Sequence, residues 1–117
     1  MDIRHQKRIA IFQDLFASDF SDGKNASKIT PILEKKAEID RIISEHATRY
    51  PIEQMAKVDL AVLRLAVYEL YFEEAPEPQK VVIDEAVQLA REYGKDQSFS
   101  FVNGVLAAII KSRSGNV

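Results

Sequence analysis

The sequence predicts an all-α fold, a compact bundle of about five long helices and one short helix. Apolar residues recur at spacings of three and four along most of the chain, as they do on one face of a helix. Only four Gly and four Pro residues are present, which argues against a meander of short strands. One stretch, residues 58–72, is apolar at nearly every position and is expected to form the centre of the bundle.

This central stretch is expected to be a buried helix. Its charged positions, Asp59, Arg64 and Glu69, fall at different azimuths of a 3.6-residue wheel and leave no broad polar face. It is shorter than the roughly 20 residues that cross a bilayer, so we expect no membrane span. The charge of Arg64 is expected to be paired, with Asp84 or Glu85, and an RNA role for it is the weaker alternative.

Length and composition indicate one domain, 1–117. Of its 117 residues 46% are hydrophobic and 29% are charged, which suits a single core. We expect an N-terminal helical half (1–50), a C-terminal helical half (51–112) and a tail (113–117). The chain has no Cys and begins without the apolar core of a signal peptide, so we expect it to be cytoplasmic.

The first helix is predicted over residues 3–20. Arg4, Lys7 and Arg8 fall within an arc of roughly 100° on it, so three positive charges are expected to project together. A solvated, frayed helix end is the alternative interpretation of these charges. The apolar stripe of this helix consists of Ile9, Phe12, Leu15, Phe16 and Phe20.

Four further helices complete the prediction besides the central one. A second helix is expected over residues 27–47, with Thr30 as N-cap because Pro31 suits the first turn. A short helix, 52–57, leads into the central helix. The last two helices are expected over 81–93 and 98–111, with inward stripes formed by Ile83, Ala86, Val87, Ala90 and Tyr93 and by Phe101, Val102, Val105, Leu106 and Ile109.

The sequence predicts a structural role for each of two glycines near the C-terminal end of the chain. Gly94 is expected at the C′ position that follows the helix over residues 81–93. Gly104 is expected to let a neighbouring helix approach closely.

Three segments together resemble the NusB family. They are residues 57–70 (KVDLAVLRLAVYEL), 80–90 (KVVIDEAVQLA) and 101–106 (FVNGVL), in matching order and spacing. The opening Arg4-x-x-x-Arg8, followed by Gln13-x-Leu15-Phe16, is similar to the arginine-rich first helix of that family. Family members usually carry an additional helix before residue 39, so the resemblance implies a shortened form.

The resemblance implies a transcription antitermination factor. Such proteins bind the boxA element of ribosomal RNA leader transcripts together with NusE, a ribosomal protein that serves the transcription elongation complex. By matching family positions, the residues expected to contact RNA are Arg4, His5, Lys7, Arg8, Gln97 and Ser98. Phe16 and Asp59 match family positions near the NusE surface.

The shortened form has a consequence for the first helix. Part of its apolar stripe is expected to lie uncovered, at Phe12, Phe16 or Phe20, and such a patch usually marks an interaction site. A partner or a second copy would then cover it, so a homodimer is one expectation. The alternative is that the second helix has shifted inward to close the gap.

Catalysis is not expected. The chain has two histidines and no Cys, and it lacks a Gly-rich phosphate loop and a nucleophile elbow. We therefore expect no catalytic residue, no metal site and no cofactor. A protein-only interaction module of the same fold, without RNA binding, remains the alternative function. A ribosomal RNA methyltransferase with a NusB-like N-terminal domain is disfavoured, because only twelve residues follow Val105.

Overall fold

The structure, a computed structural model, describes residues 3–20 and 28–113. Within these two ranges the chain is all-helical, as predicted, with six α-helices, one 3₁₀ helix and no strand. The elements are α1 (Ile3–Ser18), α2 (Thr30–Glu34), α3 (Lys36–His46), the 3₁₀ helix (Ile52–Gln54), α4 (Lys57–Tyr71), α5 (Gln79–Tyr93) and α6 (Ser98–Arg113).

Helix α4 is the centre of the bundle, which confirms the prediction. Ten of its fifteen residues are buried, because it is apolar on every side and packs against α1, α2, α3, α5 and α6. Buried apolar side chains from all six α-helices form one core cluster with it. Surface residues can therefore be located by the end of α4 that they lie near.

The predicted second helix is broken into α2 and α3. Lys35 interrupts it with φ −103° and ψ 8°, and Thr30 is the first helical residue after the N-cap Ile29 rather than the cap itself. The bend lets Ile32 of α2 and Ile39 of α3 both reach the core, where each is buried. Neither Gly nor Pro marks the break, so the apolar spacing alone predicted one continuous helix.

The contact face of α5 differs from the predicted stripe. Val82 and Leu89 are fully buried, whereas Ile83 and Val87 are only half-buried and Tyr93 is exposed. Both sets of residues fit a helical period, and packing against α4 and α6 selects between them.

The predicted role of Gly104 is wrong. No atom lies within 4 Å of a Cβ placed on it, and the residue is exposed on α6. The glycine therefore does not permit a close helix contact.

The predicted partners of Arg64 are also wrong. Its guanidinium donates to both carboxylate oxygens of Asp40, at 2.9 Å each, and to Asp19 at 3.1 Å. The buried charge is paired, as expected, but the pair ties α4 to α3 and to the residue that follows α1. Asp84 instead pairs with Lys80 on α5, four residues away, and Glu85 faces α1.

Candidate functional site

The predicted basic arc of α1 does not project as a unit. Arg8 is only 7% exposed, and its guanidinium donates to Glu69 through Nε at 2.8 Å and Nη2 at 2.6 Å. Nη2 also donates to Glu77 at 2.6 Å. The hydrogen bonds and charge of Glu69, followed by those of Glu77, raise the pKa of Arg8 although burial opposes this.

The neighbours of Arg8 on α1 meet the same group of acids. His5 Nδ1 lies 2.6 Å from Glu85, an ion pair when the imidazole is protonated, and Arg4 pairs with Glu77 at 3.3 Å. We call Glu69, Glu77 and Glu85 the carboxylate clamp. Sequence reasoning missed it because these acids lie 61 to 80 residues from their partners in the chain.

Lys7 is the exception on the first turns of α1. Its side chain is exposed and has no ion pair among the residues that the structure describes. With Lys28 it lines a cavity of about 400 Å³ between α1, α2 and α4, whose apolar wall includes Ile11, Leu65 and Tyr68. The carboxylates of Glu69, Glu73 and Glu77 face the same cavity and offset its positive charge.

Gln97 and Ser98 lie elsewhere, beside a second cavity of about 570 Å³ at the start of α6. We call it the α6 cavity; its lining residues are Arg49, Tyr50, Gln54, Ala56, Asp59, Lys95, Asp96, Gln97, Ser98 and Phe101. Sequence reasoning missed Arg49, Tyr50 and Lys95 here. The available signal was their position in the connections before the Pro51 break and before α6.

The shape of the α6 cavity depends on a tight turn at residues 94–98. The backbone N–H of Lys95 donates to Ser98 Oγ at 2.9 Å. A Cβ on Gly94 would lie 2.5 Å from that oxygen and 2.7 Å from the carbonyl oxygen of Ala90. Gly94 has φ −96°, so close approach rather than a left-handed backbone requires glycine here.

An aromatic pair forms one wall of the α6 cavity. Tyr50 and Phe101 stack with ring centroids 5.2 Å apart and an interplanar angle of 19°. Both rings are half-buried, so their outer edges remain open to solvent. Phe101 packs against the core, as expected, and its stacking on Tyr50 also places both rings in the cavity wall.

Asp59 lies at the inner side of the α6 cavity. It is 4% exposed, and burial raises the pKa of its carboxyl group, while a hydrogen bond with Ser98 and the charge of Lys95 oppose that shift. Its Oδ1 has no hydrogen-bond partner among the described residues. A NusE contact at this buried carboxylate stays a prediction.

Phe16 lies near the C-terminal end of α1. Its ring is 5.1 Å from that of Phe20 and 6.5 Å from that of Phe12. Phe12 is buried, Phe16 is half-buried and Phe20 is 65% exposed. The expected uncovered part of the stripe therefore exists at its C-terminal end, although what covers it stays a prediction.

The residues expected to contact RNA thus form two groups. Arg8 reaches Glu69 near the C-terminal end of α4, whereas Gln97 and Ser98 lie beside Asp59 in its first turn. Glu69 follows Asp59 by ten positions along α4, a rise of roughly 15 Å. The two groups can therefore serve one ligand only if it is an extended chain.

Metal-binding and membrane-spanning features are absent from the described ranges. No group of three or more His, Cys, Asp or Glu side chains suited to a metal ion occurs there. No helix among these residues is both long and apolar enough to cross a membrane.

Comparison with known proteins identifies relatives along most of the chain. A sequence model described as the NusB family matches residues 26–111. The transcription antitermination protein NusB of Roseiflexus castenholzii is 49% identical over 130 aligned positions, which cover 92% of each chain. The protein of the same name from Agathobacter rectalis is 55% identical over 80 residues, which are 68% of this chain and 60% of that relative.

A solved structure agrees with these matches. Thermotoga maritima NusB superimposes with a TM-score of 0.82 at 34% identity, covering 94% of this chain and 92% of that one. The alignment with the Roseiflexus protein, at 130 positions, is longer than the 117 residues of this chain. That relative therefore has internal residues that this chain lacks, in agreement with a shortened form.

Proposed function

This chain belongs to the NusB family, and on that premise we propose that it acts in transcription antitermination. In this proposal it binds a boxA-type ribosomal RNA leader sequence together with the ribosomal protein NusE, as part of a transcription elongation complex. The observation that carries the proposal is the match of sequence and fold to proteins named transcription antitermination protein NusB. A cytoplasmic location follows from it, because bacterial transcription takes place there.

The α6 cavity is the surface that we propose for single-stranded RNA, although its lining includes the acids Asp59 and Asp96 as well as two cations. Arg49 and Lys95 are exposed cations on its rim, and Gln97 adds an exposed amide. Cations that follow a phosphate backbone beside aromatic rings that accept bases are typical of single-strand binding. The Tyr50–Phe101 pair supplies such rings.

The first turns of α1 contribute less than the sequence suggested. Lys7 and Arg4 are exposed, but Arg4 is paired with Glu77 and Arg8 is held inside the carboxylate clamp. With few available phosphate contacts, RNA binding by the protein alone is expected to be weak. The salt dependence is then shallow, with a slope of about −0.7 per phosphate neutralised on single strands.

The exposed end of the α1 stripe suits the protein partner. Phe16 and Phe20 form an edge-to-face pair whose outer ring is open to solvent. We propose that NusE covers this pair, and a second copy of the chain is the alternative occupant. Sedimentation across a concentration series, with and without NusE, distinguishes the two, and Phe16→Asp is expected to abolish the association that involves this pair.

A protein-only interaction module is the second candidate function. The observation that favours it is the neutralisation of α1, where three carboxylates face Arg4, His5 and Arg8. In that case Phe16 still serves a protein partner, and no surface of the chain binds RNA.

An electrophoretic shift with a boxA-type RNA tests the proposal. Lys95→Gln and Arg49→Gln are each expected to weaken binding, because each removes a cation from the rim of the α6 cavity. Lys36→Gln on α3 is the matched control, since it removes one positive charge at a position that lines neither cavity. Equal effects of all three variants would show that the α6 cavity is not the RNA surface, whereas no shift with the parent protein would favour the protein-only module.

A further inference from the structure

The carboxylate clamp occupies the arginines that the α1 surface would otherwise offer to RNA. We propose that Glu77 is an autoinhibitory residue that competes with RNA phosphate for Arg4 and Arg8. The inference rests on the proposed function, because it concerns how strongly this surface binds RNA. It adds a residue from the α4–α5 loop to a surface that had been assigned to α1 alone.

The geometry places Glu77 between the two arginines. One of its carboxylate oxygens accepts from Arg8 Nη2 at 2.6 Å, and the other accepts from Arg4 Nη1 at 3.3 Å. Guanidinium groups bind carboxylate and phosphate oxygens with the same planar donors and similar geometry. A phosphate that takes the same donors, Arg4 Nη1 and Arg8 Nη2, therefore competes with Glu77.

The prolines on either side of Glu77 restrict the backbone of this segment. Pro76 and Pro78 fix their own φ angles, and Pro78 also restricts Glu77 to an extended backbone. Pro78 is the N-cap of α5, so the Glu77 carboxylate also lies near the positive end of a helix dipole. The backbone at Glu77 therefore loses little conformational freedom when its side chain binds the arginines.

Glu77 is the member of the clamp that a ligand can displace. Glu69 is part of α4, its side chain is 13% exposed, and it contacts Arg8 through two hydrogen bonds. Glu77 lies in a loop, its side chain is 21% exposed, and it makes one hydrogen bond to each arginine. Displacing Glu77 leaves Arg8 paired with Glu69, so the fold keeps its internal pair.

The experiment compares Glu77→Gln with Glu74→Gln. Both variants remove one negative charge from the same loop, but Glu74 is exposed and has no ion pair in the described part of the chain. RNA affinity is measured by fluorescence anisotropy over a series of salt concentrations. The probes are a labelled boxA-type RNA and a scrambled RNA of equal length.

Glu77→Gln is expected to bind boxA-type RNA roughly three- to tenfold more tightly than the parent, with a salt slope steeper by about 0.7 for each additional phosphate that is neutralised. Glu74→Gln is expected to change affinity less than twofold, because its charge is screened by solvent. A second comparison uses Arg4→Gln. It is expected to weaken binding more in the Glu77→Gln background than in the parent background, because only there is the competing contact between Glu77 and Arg4 removed.

Several outcomes would overturn the inference. Equal tightening by both Glu variants would show that net charge alone is responsible. Unchanged or weaker binding by Glu77→Gln, with a folding midpoint equal to that of the parent, would show that Glu77 does not compete with RNA. Failure of the parent and every variant to bind RNA would overturn the proposed function and this inference with it, whereas binding by Glu77→Gln alone would support the inference strongly.

Discussion

Replacing Arg8 by Met tests whether the carboxylate clamp is part of the folded core. The variant keeps most of the apolar stem but removes the guanidinium that three hydrogen bonds tie to Glu69 and Glu77. Removing one partner of a buried ion pair typically costs about 3 to 5 kcal/mol, because the remaining charge is left uncompensated. A frayed and solvated helix end would cost almost nothing.

The exposure of the two acids lowers this figure. The side chains of Glu69 and Glu77 keep 13% and 21% of their surface in contact with solvent, so water compensates part of their lost hydrogen bonding. We therefore expect a cost of about 2 to 3 kcal/mol for Arg8→Met. At roughly 4 °C per kcal/mol, the melting temperature should fall by about 8 to 12 °C.

Urea denaturation followed by far-UV circular dichroism measures this effect at neutral pH. Lys7→Met is the matched control, because Lys7 is exposed on the same helix, and its cost is expected to stay within about 0.5 kcal/mol. Adding Glu69→Gln to Arg8→Met should recover part of the loss, since the stranded carboxylate is then removed. Equal midpoints for Arg8→Met and Lys7→Met would refute the clamp.

Three further predictions concern stability. Leu63→Ala or Leu106→Ala should each cost about 2 to 5 kcal/mol in urea denaturation, because both side chains are fully buried; a midpoint within error of the parent would contradict the core. Gly104→Ala should stabilise the folded protein by up to about 1 kcal/mol, since the new methyl group meets no neighbouring element. Gly94→Ala should destabilise it, because the new methyl group would lie too close to Ser98. A stability change of the same sign for both variants would contradict these packing assignments. Asp59→Asn should gain stability relative to the parent as the pH rises above the ordinary Asp pKa of 3.8. The folded parent binds the carboxyl proton of Asp59 more tightly than the unfolded chain does, so the parent loses stability as the pH passes through the raised pKa. A pH-independent difference in stability between the two proteins would refute a raised pKa.

The sequence predicted the helices well because buried apolar residues recur at the spacing of a helix. The apolar run around Leu63 has no polar face, and this fixes α4 as the central helix before any contact is known. The break at Lys35 has no comparable signal in the sequence. A helix can bend without Gly or Pro when the segments on both sides of the bend bury Ile side chains. The stripe of α5 was ambiguous for a related reason, since two adjacent faces of that helix are apolar.

The candidate site was predicted less completely because the local spacing of residues does not show which charged side chains pair across the bundle. Arg8 looked like one of several surface cations, yet its partners come from α4 and from the loop before α5. Arg64 was correctly expected to be paired, but Asp19 and Asp40 became its partners once α1 and α3 had packed on α4. Burial follows from local pattern, whereas charge pairing follows from topology.

Titration of a labelled boxA-type RNA with this protein, in the absence and presence of NusE, tests the central claim most directly. We expect weak binding with a shallow salt dependence by the protein alone and clearly tighter binding when NusE is present. Scrambled RNA of equal length should bind more weakly under both conditions. Absence of RNA binding by the folded protein both with and without NusE would contradict the account.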